Sequence, residues 1–482
     1  MRLSEPIEKH GFFWLPDDAE NQVPGILRIS ESGGITLEVS YFYDLRQDVL
    51  NKRRRLGYPP NRTEDRNINR IVGRIDNGFI TLDKCFYVNW SKKLTSGVAT
   101  STIRANFAFI GADYNEGEDI TFSKLKFSVE GLNEWLSISG FQKVSNRKDK
   151  SFFIHFNPPE EIPFNLPDGI ELKFLFSGTH SLNFTEERIT QKVYISLISK
   201  GLRPIGDFLE LVFKLHLFLC FAIDNIVSLD SVTGYSSEIS EEIRDGQERE
   251  IPIKIYYQLE PHSVAKPEVF PDDMLFSYRD VADQLEEILT KWIKNYEIST
   301  PSFNLYFSTM SGGQKYMDGK FLSLAQGIET LHRRNSQETQ MPEDEFRNLI
   351  DTILNGVPDD GQRRWIDEKL KYANELSLRK RMKQMIEPFK DLFGNSKKRN
   401  SFIGKVVDTR NYLTHYDSQL ESKAAHGEEL WRLYRKLEAL FQLHFLRLIG
   451  WDIESIKSIA KNNKYLCHKL GLEYQNSSEE SV

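Results

Sequence analysis

Cysteine is scarce in this 482-residue chain: Cys85, Cys220 and Cys467 are all there is, and their wide spacing offers neither a zinc-ligand pair nor a disulfide framework. Long apolar runs are missing too. The most apolar stretch, Leu209 to Ile223, is broken by Glu210, Lys214 and His216 and is too short to span a bilayer. The amino terminus, MRLSEPIEKHGFFWLP, carries charges through its first nine residues and lacks an apolar core of secretory length, which argues against a signal peptide. Clustered Asp/Glu or Cys/His ligand sets, internal repeats and extended low-complexity segments are likewise absent. These absences predict a soluble, cytoplasmic protein with no membrane partner, no metal and no cofactor.

What is present fits packed globular domains: 39% of residues are apolar and 12% aromatic, and the length exceeds what one hydrophobic core usually serves. The net charge of −7 is unevenly spread. Residues 301 to 482 hold 28 Lys+Arg against 25 Asp+Glu, leaving 35 against 45 for residues 1 to 300, so the two parts carry +3 and −10. That asymmetry permits a polyanionic partner at the carboxy-terminal end.

The hydrophobic period changes along the chain. Residues 1–200 read as strands: Ile35 to Tyr41 and Ile170 to Phe174 alternate strictly, as a half-buried antiparallel strand does. Ser32-Gly33-Gly34 and Asp76-Asn77-Gly78 are turn signals before strand-like runs. A sandwich-like β-rich amino-terminal region follows. Residues 201–300 read as a linking α/β segment, with a buried helix after Pro204 and one strand alternating from Ile251 to Leu259. Residues 301–470 read as an all-α bundle, with helices at Phe321 to Leu331, Glu343 to Leu354, Arg363 to Leu378, Phe402 to Tyr416 and Leu430 to His444. Residues 471–482, ending NSSEESV, are expected to be a disordered tail, so the whole reads as an α+β multidomain chain.

One short constellation carries chemistry. In DTRNYLTHYD, Arg410, Asn411 and His415 lie on the expected Phe402–Tyr416 helix, whose apolar face would be Phe402, Val406, Thr409, Leu413 and Tyr416. At roughly 100° per residue, Asn411 and His415 stack on another face, while Arg410 lies about 140° round from His415. On one straight helix the arginine and histidine would not aim head-on at one small group; two facing copies of the helix could bring both around one phosphate in a composite, homodimeric site, the alternative being a bent arginine that reaches round its own helix. A histidine near neutral pH can exchange a proton with an RNA 2′-hydroxyl or a leaving oxygen, and a permanently charged guanidinium can hold the phosphate. No second Arg-x4-to-x6-His occurs in the chain.

Arg410-Asn411-x-x-x-His415 in a terminal helical bundle resembles the catalytic signature of HEPN ribonucleases. The helix FLSLAQGIETLHRR, with Glu329, resembles the first helix of the ApeA-like branch, and the phrases GFFWLP, PGILRIS, GGITLEVS and GLNEWLSISGF resemble the β-rich domain preceding HEPN in ApeA-type anti-phage defence proteins. The resemblance implies a metal-independent endoribonuclease that cuts single-stranded or loop RNA, transfer RNA among the candidates, and leaves a 2′,3′-cyclic phosphate. It further implies a phosphate-holding Arg410, an acid/base His415, an orienting Asn411, a homodimer or larger assembly, and latent activity released by a phage-derived trigger in abortive infection. The competing expectation is a non-catalytic RNA-binding and dimerisation module with a ligand-recognising β domain.

Other residues are weighed beside these. Lys397, Lys398 and Arg399 fall in an expected basic loop before the motif helix, where cations could hold RNA backbone. Arg379-Lys380-Arg381 and the run Lys52-Arg53-Arg54-Arg55 with Tyr58, Arg62 and Arg66 read mainly as solvated surface. His444 reads as a packed core histidine, Ser311 to Lys315 as a linker, and Glu329 as either a partner of a motif residue or a bundle salt bridge.

Overall fold

A computed structural model describes residues 1–42, 56, 67–93, 98–146, 151–243, 247–262, 265–312 and 314–474. The basic run at 52–55, Tyr58, Arg62, Arg66, Gly313 and most of the expected tail lie outside them. The chain divides into two compact units, Met1–Pro271 with Ser277–Glu286 and Asp272–Phe276 with Glu287–Val482.

The first unit begins with β1 (Ile7–Trp14), β2 (Val23–Ile29), β3 (Ile35–Phe42), β4 (Asn67–Ile75), β5 (Gly78–Lys93) and β6 (Val98–Ile110). Their antiparallel pairings run β1–β2–β3–β6–β5–β4 and return to β1, closing a barrel. Closure pairs every edge, and the alternating apolar positions point inward: Phe13, Leu27, Ile71, Ile80, Leu82, Ile103 and Ala108 are fully buried. Gly73 leaves room for the Phe13 ring, since a Cβ there would sit 2.4 Å from it. The Asp76-Asn77-Gly78 signal makes the β4–β5 turn, with Gly78 at φ 105.

The sheet does not stop at the barrel. After β7 (Thr121–Val129), α1 (Leu132–Leu136), β8 (Phe141–Asn146), β9 (Ser151–Phe156), β10 (Ile162–Asn165), β11 (Ile170–Leu182), β12 (Glu187–Pro204), α2 (Ile205–Ile223), β13 (Leu229–Tyr235), β14 (Ser240–Ile243), β15 (Gln247–Glu250) and β16 (Ile253–Tyr257), an open sheet runs β10-β11-β12-β7-β13-β16 and joins the barrel through β6. The β-rich region expected from the alternation is therefore layered as a closed barrel continued into an open sheet. Helix α2 packs on β7 and β12, and Phe218 on it meets Trp135 edge-on at 5.9 Å. Compact division and expected boundaries at 200 and 300 differ for a physical reason. β13 and β16, from the segment expected to link domains, find their backbone partners in this sheet.

The second unit holds α3 (Leu285–Met310) from Glu287 on, α4 (Met317–Asn335), α5 (Glu343–Asn355), α6 (Asp360–Leu370), α7 (Leu378–Ile386), α8 (Ser396–His415), α9 (Ser418–Glu421), α10 (Gly427–Leu448), α11 (Ile453–Asn462) and α12 (Lys464–Leu470). Its core is aromatic: Phe303 stacks on Phe445 at 4.4 Å, and Trp292, Tyr306 and Phe441 surround them. The expected Leu430-to-His444 stripe is buried, and His444 donates from Nε2 to the Met385 carbonyl at 2.8 Å. The expected helix over Arg363 to Leu378 is interrupted: α6 ends at Leu370, and α7 starts after Ser377, whose hydroxyl accepts from the Lys380 amide. Helix α5 is strongly amphipathic in sequence yet buries no residue.

Candidate active site

Helix α8 carries the motif. It begins at Ser396, six residues before the expected start, because the Asn395 side chain caps it by accepting from the Lys398 amide at 2.9 Å. Lys397, Lys398 and Arg399, expected in a loop, thus form its first turn. By helical rise Lys397 lies about 20 Å from Arg410, so the structure does not bring this cluster to the motif. Arg399 instead donates to the Gly394 carbonyl, and the Lys398 charge, after burial, helps hold the Lys436 ammonium below the usual lysine range.

Phe402, Val406, Thr409 and Leu413 are buried as expected, together with Ile403. Tyr416 departs from expectation: the helix stops at His415, Tyr416 caps it in the left-handed region at φ 51, and its side chain is 67% exposed. The buried Thr409 hydroxyl accepts from the Ala425 amide at 2.9 Å, tying the turn that carries the motif to the entrance of α10.

Arg410 points at α4. Its Nη2 donates to Glu329 Oε2 at 3.0 Å and its Nη1 to Asn411 Oδ1 at 3.3 Å. Glu329 meets both alternatives held open for it, since its other oxygen lies 3.5 Å from Arg333. The network continues: Arg333 donates to Glu375 at 2.6 Å, Arg381 lies 3.8 Å from Glu375, and Arg381 Nη1 donates to His332 Nδ1 at 3.2 Å. Burial, helped by the Arg381 charge and against a hydrogen bond with Gln384, moves the His332 ring below its ordinary pKa. The Glu329–Arg333 contact could be read from its i,i+4 spacing on a helix. Glu375, Arg381 and His332 could not, because they converge only through packing of α7 on α4.

His415 stands apart from this network. It is exposed at the last position of α8, and among the described residues its ring has no hydrogen-bond or ion-pair partner. Tyr412 and Tyr416 lie beside it in sequence, edge to face at 5.6 Å. The chain therefore holds Arg410 and Asn411 together and leaves His415 open to solvent. A guanidinium anchored on one side keeps N–H donors for a phosphate, and an accessible imidazole can exchange protons. Among the described residues, no three His, Cys, Asp or Glu side chains are grouped so that they could hold a metal ion, and no helix is long and apolar enough to cross a membrane.

A helical unit carrying Arg-Asn-x3-His on a capped, half-buried helix is of the HEPN class, and residues 322–455 match the family model described as Apea-like HEPN. Residues 8–292 match the model of ApeA N-terminal domain 1, more than half of the chain, which therefore belongs to the ApeA family. HEPN domains are in general ribonucleases, and this family places them in defence. No curated protein and no solved structure gives a significant match.

Proposed function

We propose that this chain is an anti-phage abortive-infection effector whose helical unit is a metal-independent endoribonuclease for single-stranded or looped RNA, transfer RNA included. The observation that carries the reading is the division of labour on α8: Arg410 held by Glu329 and Asn411, and His415 one turn on and exposed. In the proposed reaction the 2′-oxygen forms a bond to phosphorus while the bond from phosphorus to the 5′-oxygen breaks. The 2′-hydroxyl proton passes to a histidine, the leaving 5′-oxygen takes up a proton, and the products are a 2′,3′-cyclic phosphate and a 5′-hydroxyl. Arg410 offsets the charge that builds on the non-bridging oxygens.

The angular offset of Arg410 and His415 on α8 supports a site completed by a second copy of the chain. The β-rich unit is the part we assign to sensing a phage-derived trigger in the cytoplasm. Sequencing of RNA ends after expression and phage challenge tests the reading. Wild type should produce cyclic-phosphate ends and protect, whereas Arg410→Ala and His415→Ala should lose both. Protection undiminished in those variants would mean a non-catalytic module, and cleavage abolished by chelation would overturn the metal-free chemistry.

A further inference from the structure

Helix α8 has a glycine in its middle that packing does not require. A Cβ on Gly404 would meet only the ends of a flexible side chain, Arg379 Nη1 and Nη2, each at 3.8 Å. Glycine within a helix is less stable than alanine, so this position forgoes stability without filling a crowded space. At roughly 100° per residue, Lys397, Asn400, Asp408, Asn411 and His415 all lie within about 40° of Gly404, forming one stripe that runs about 27 Å along the helix to the motif histidine. None of these six residues is buried.

Helix α7 meets this stripe at Gly404, through Arg379. It packs on α8 and presents Arg379 and Lys383, four residues apart on its exposed face. Among the described residues neither makes an ion pair. Counted with Lys397, they make three cations against the one carboxylate of the stripe, Asp408. The row is polar and net positive, which suits a polyanion better than an apolar helix seam.

We infer that the Gly404 gap and the Arg379 guanidinium beside it form a backbone subsite for single-stranded RNA, in which a phosphate of the substrate strand lies against α8 several residues away from the scissile position. The inference rests on the ribonuclease reading for its substrate but makes a separate claim about binding. Arg379 supplies the charge, and the missing side chain supplies the approach that a sugar-phosphate backbone needs.

The test measures binding of a fluorescein-labelled single-stranded oligoribonucleotide to the full chain carrying His415→Ala, by anisotropy across a salt series. Adding Arg379→Ala should weaken binding several-fold and reduce the slope of log affinity against log salt by about 0.7. Gly404→Ala should act in opposite directions, raising the melting temperature by about 2 °C while weakening RNA binding. Lys405→Ala removes a cation from the same helix but off the stripe, and should leave binding unchanged. Asp408→Asn should tighten it. Unaltered binding in Arg379→Ala and Gly404→Ala would overturn the subsite, as would an equal loss in Lys405→Ala. So would a Gly404→Ala effect confined to the oligomeric state in sedimentation, which would make the stripe a seam between chains. Cleavage by wild type with binding unaltered in these variants sinks the subsite alone; the predicted binding pattern without cleavage sinks the nuclease reading alone.

Discussion

Glu329 accepts from two arginines, and its position decides how Arg410 can work. The Arg410 and Glu329 side chains are 30% and 23% exposed, so the pair is partly screened and contributes at most about 1 kcal/mol to stability. Its larger effect is on geometry, because a guanidinium held from one side is pre-aimed. Glu329→Gln keeps the size and loses the charge. We expect single-turnover RNA cleavage to fall roughly 10- to 100-fold while the melting temperature moves by less than about 2 °C. A faster Glu329→Gln enzyme would show instead that the carboxylate restrains Arg410 in the resting protein.

At the scale of elements, the motif helix was largely legible in the sequence. The spacing of Phe402, Val406, Thr409 and Leu413 gave its buried face, and the remaining angles gave the placement of Arg410 and His415. Its start was not, because a basic Ser-Lys-Lys-Arg stretch looks like loop until Asn395 is recognised as a cap, and its end was overrun by one residue because nothing about a tyrosine announces a left-handed cap. The barrel was missed for a different reason: alternation reveals that a strand has one buried face, but closure depends on which strands pair, as when β4 passes over two intervening strands to return to β1. Glu375 and Arg381, which extend the Glu329 network beyond its own helix, were hidden for the same reason.

Two buried histidines, one in each unit, give the elements that hold them a pH dependence. Burial pushes His216 of α2 and His444 of α10 down to about 4, against an ordinary value of 6.5, although each ring donates to a carbonyl. The fold thus prefers the neutral ring. Their stabilisation is fully present above pH 6.5 and is lost as the pH falls toward 4, by up to roughly 3 kcal/mol each. Thermal melts between pH 7.5 and 4.5 should show the midpoint falling through this window. His444→Asn should be less stable at pH 7.5 but should lose less on acidification; a slope equal to that of wild type would exclude His444 as a source.

For the whole molecule, the decisive question is whether one chain contains a complete site. On α8 the Arg410 and His415 directions diverge by about 140°, and no contact within the described residues draws His415 back toward the Arg410 network. If each site takes Arg410 from one copy and His415 from another, chains carrying Arg410→Ala and His415→Ala complement each other. Each mixed dimer then holds one site with both groups and one with neither. Random assortment makes half the dimers mixed, so the mixture should recover about a quarter of wild-type cleavage although neither variant cuts alone. Should both groups of a site come from the same copy, every site in the mixture lacks one of them, and the mixture stays silent. The measurement needs only unfolding-free exchange of subunits and a labelled RNA, and it separates the two geometries by presence against absence of activity.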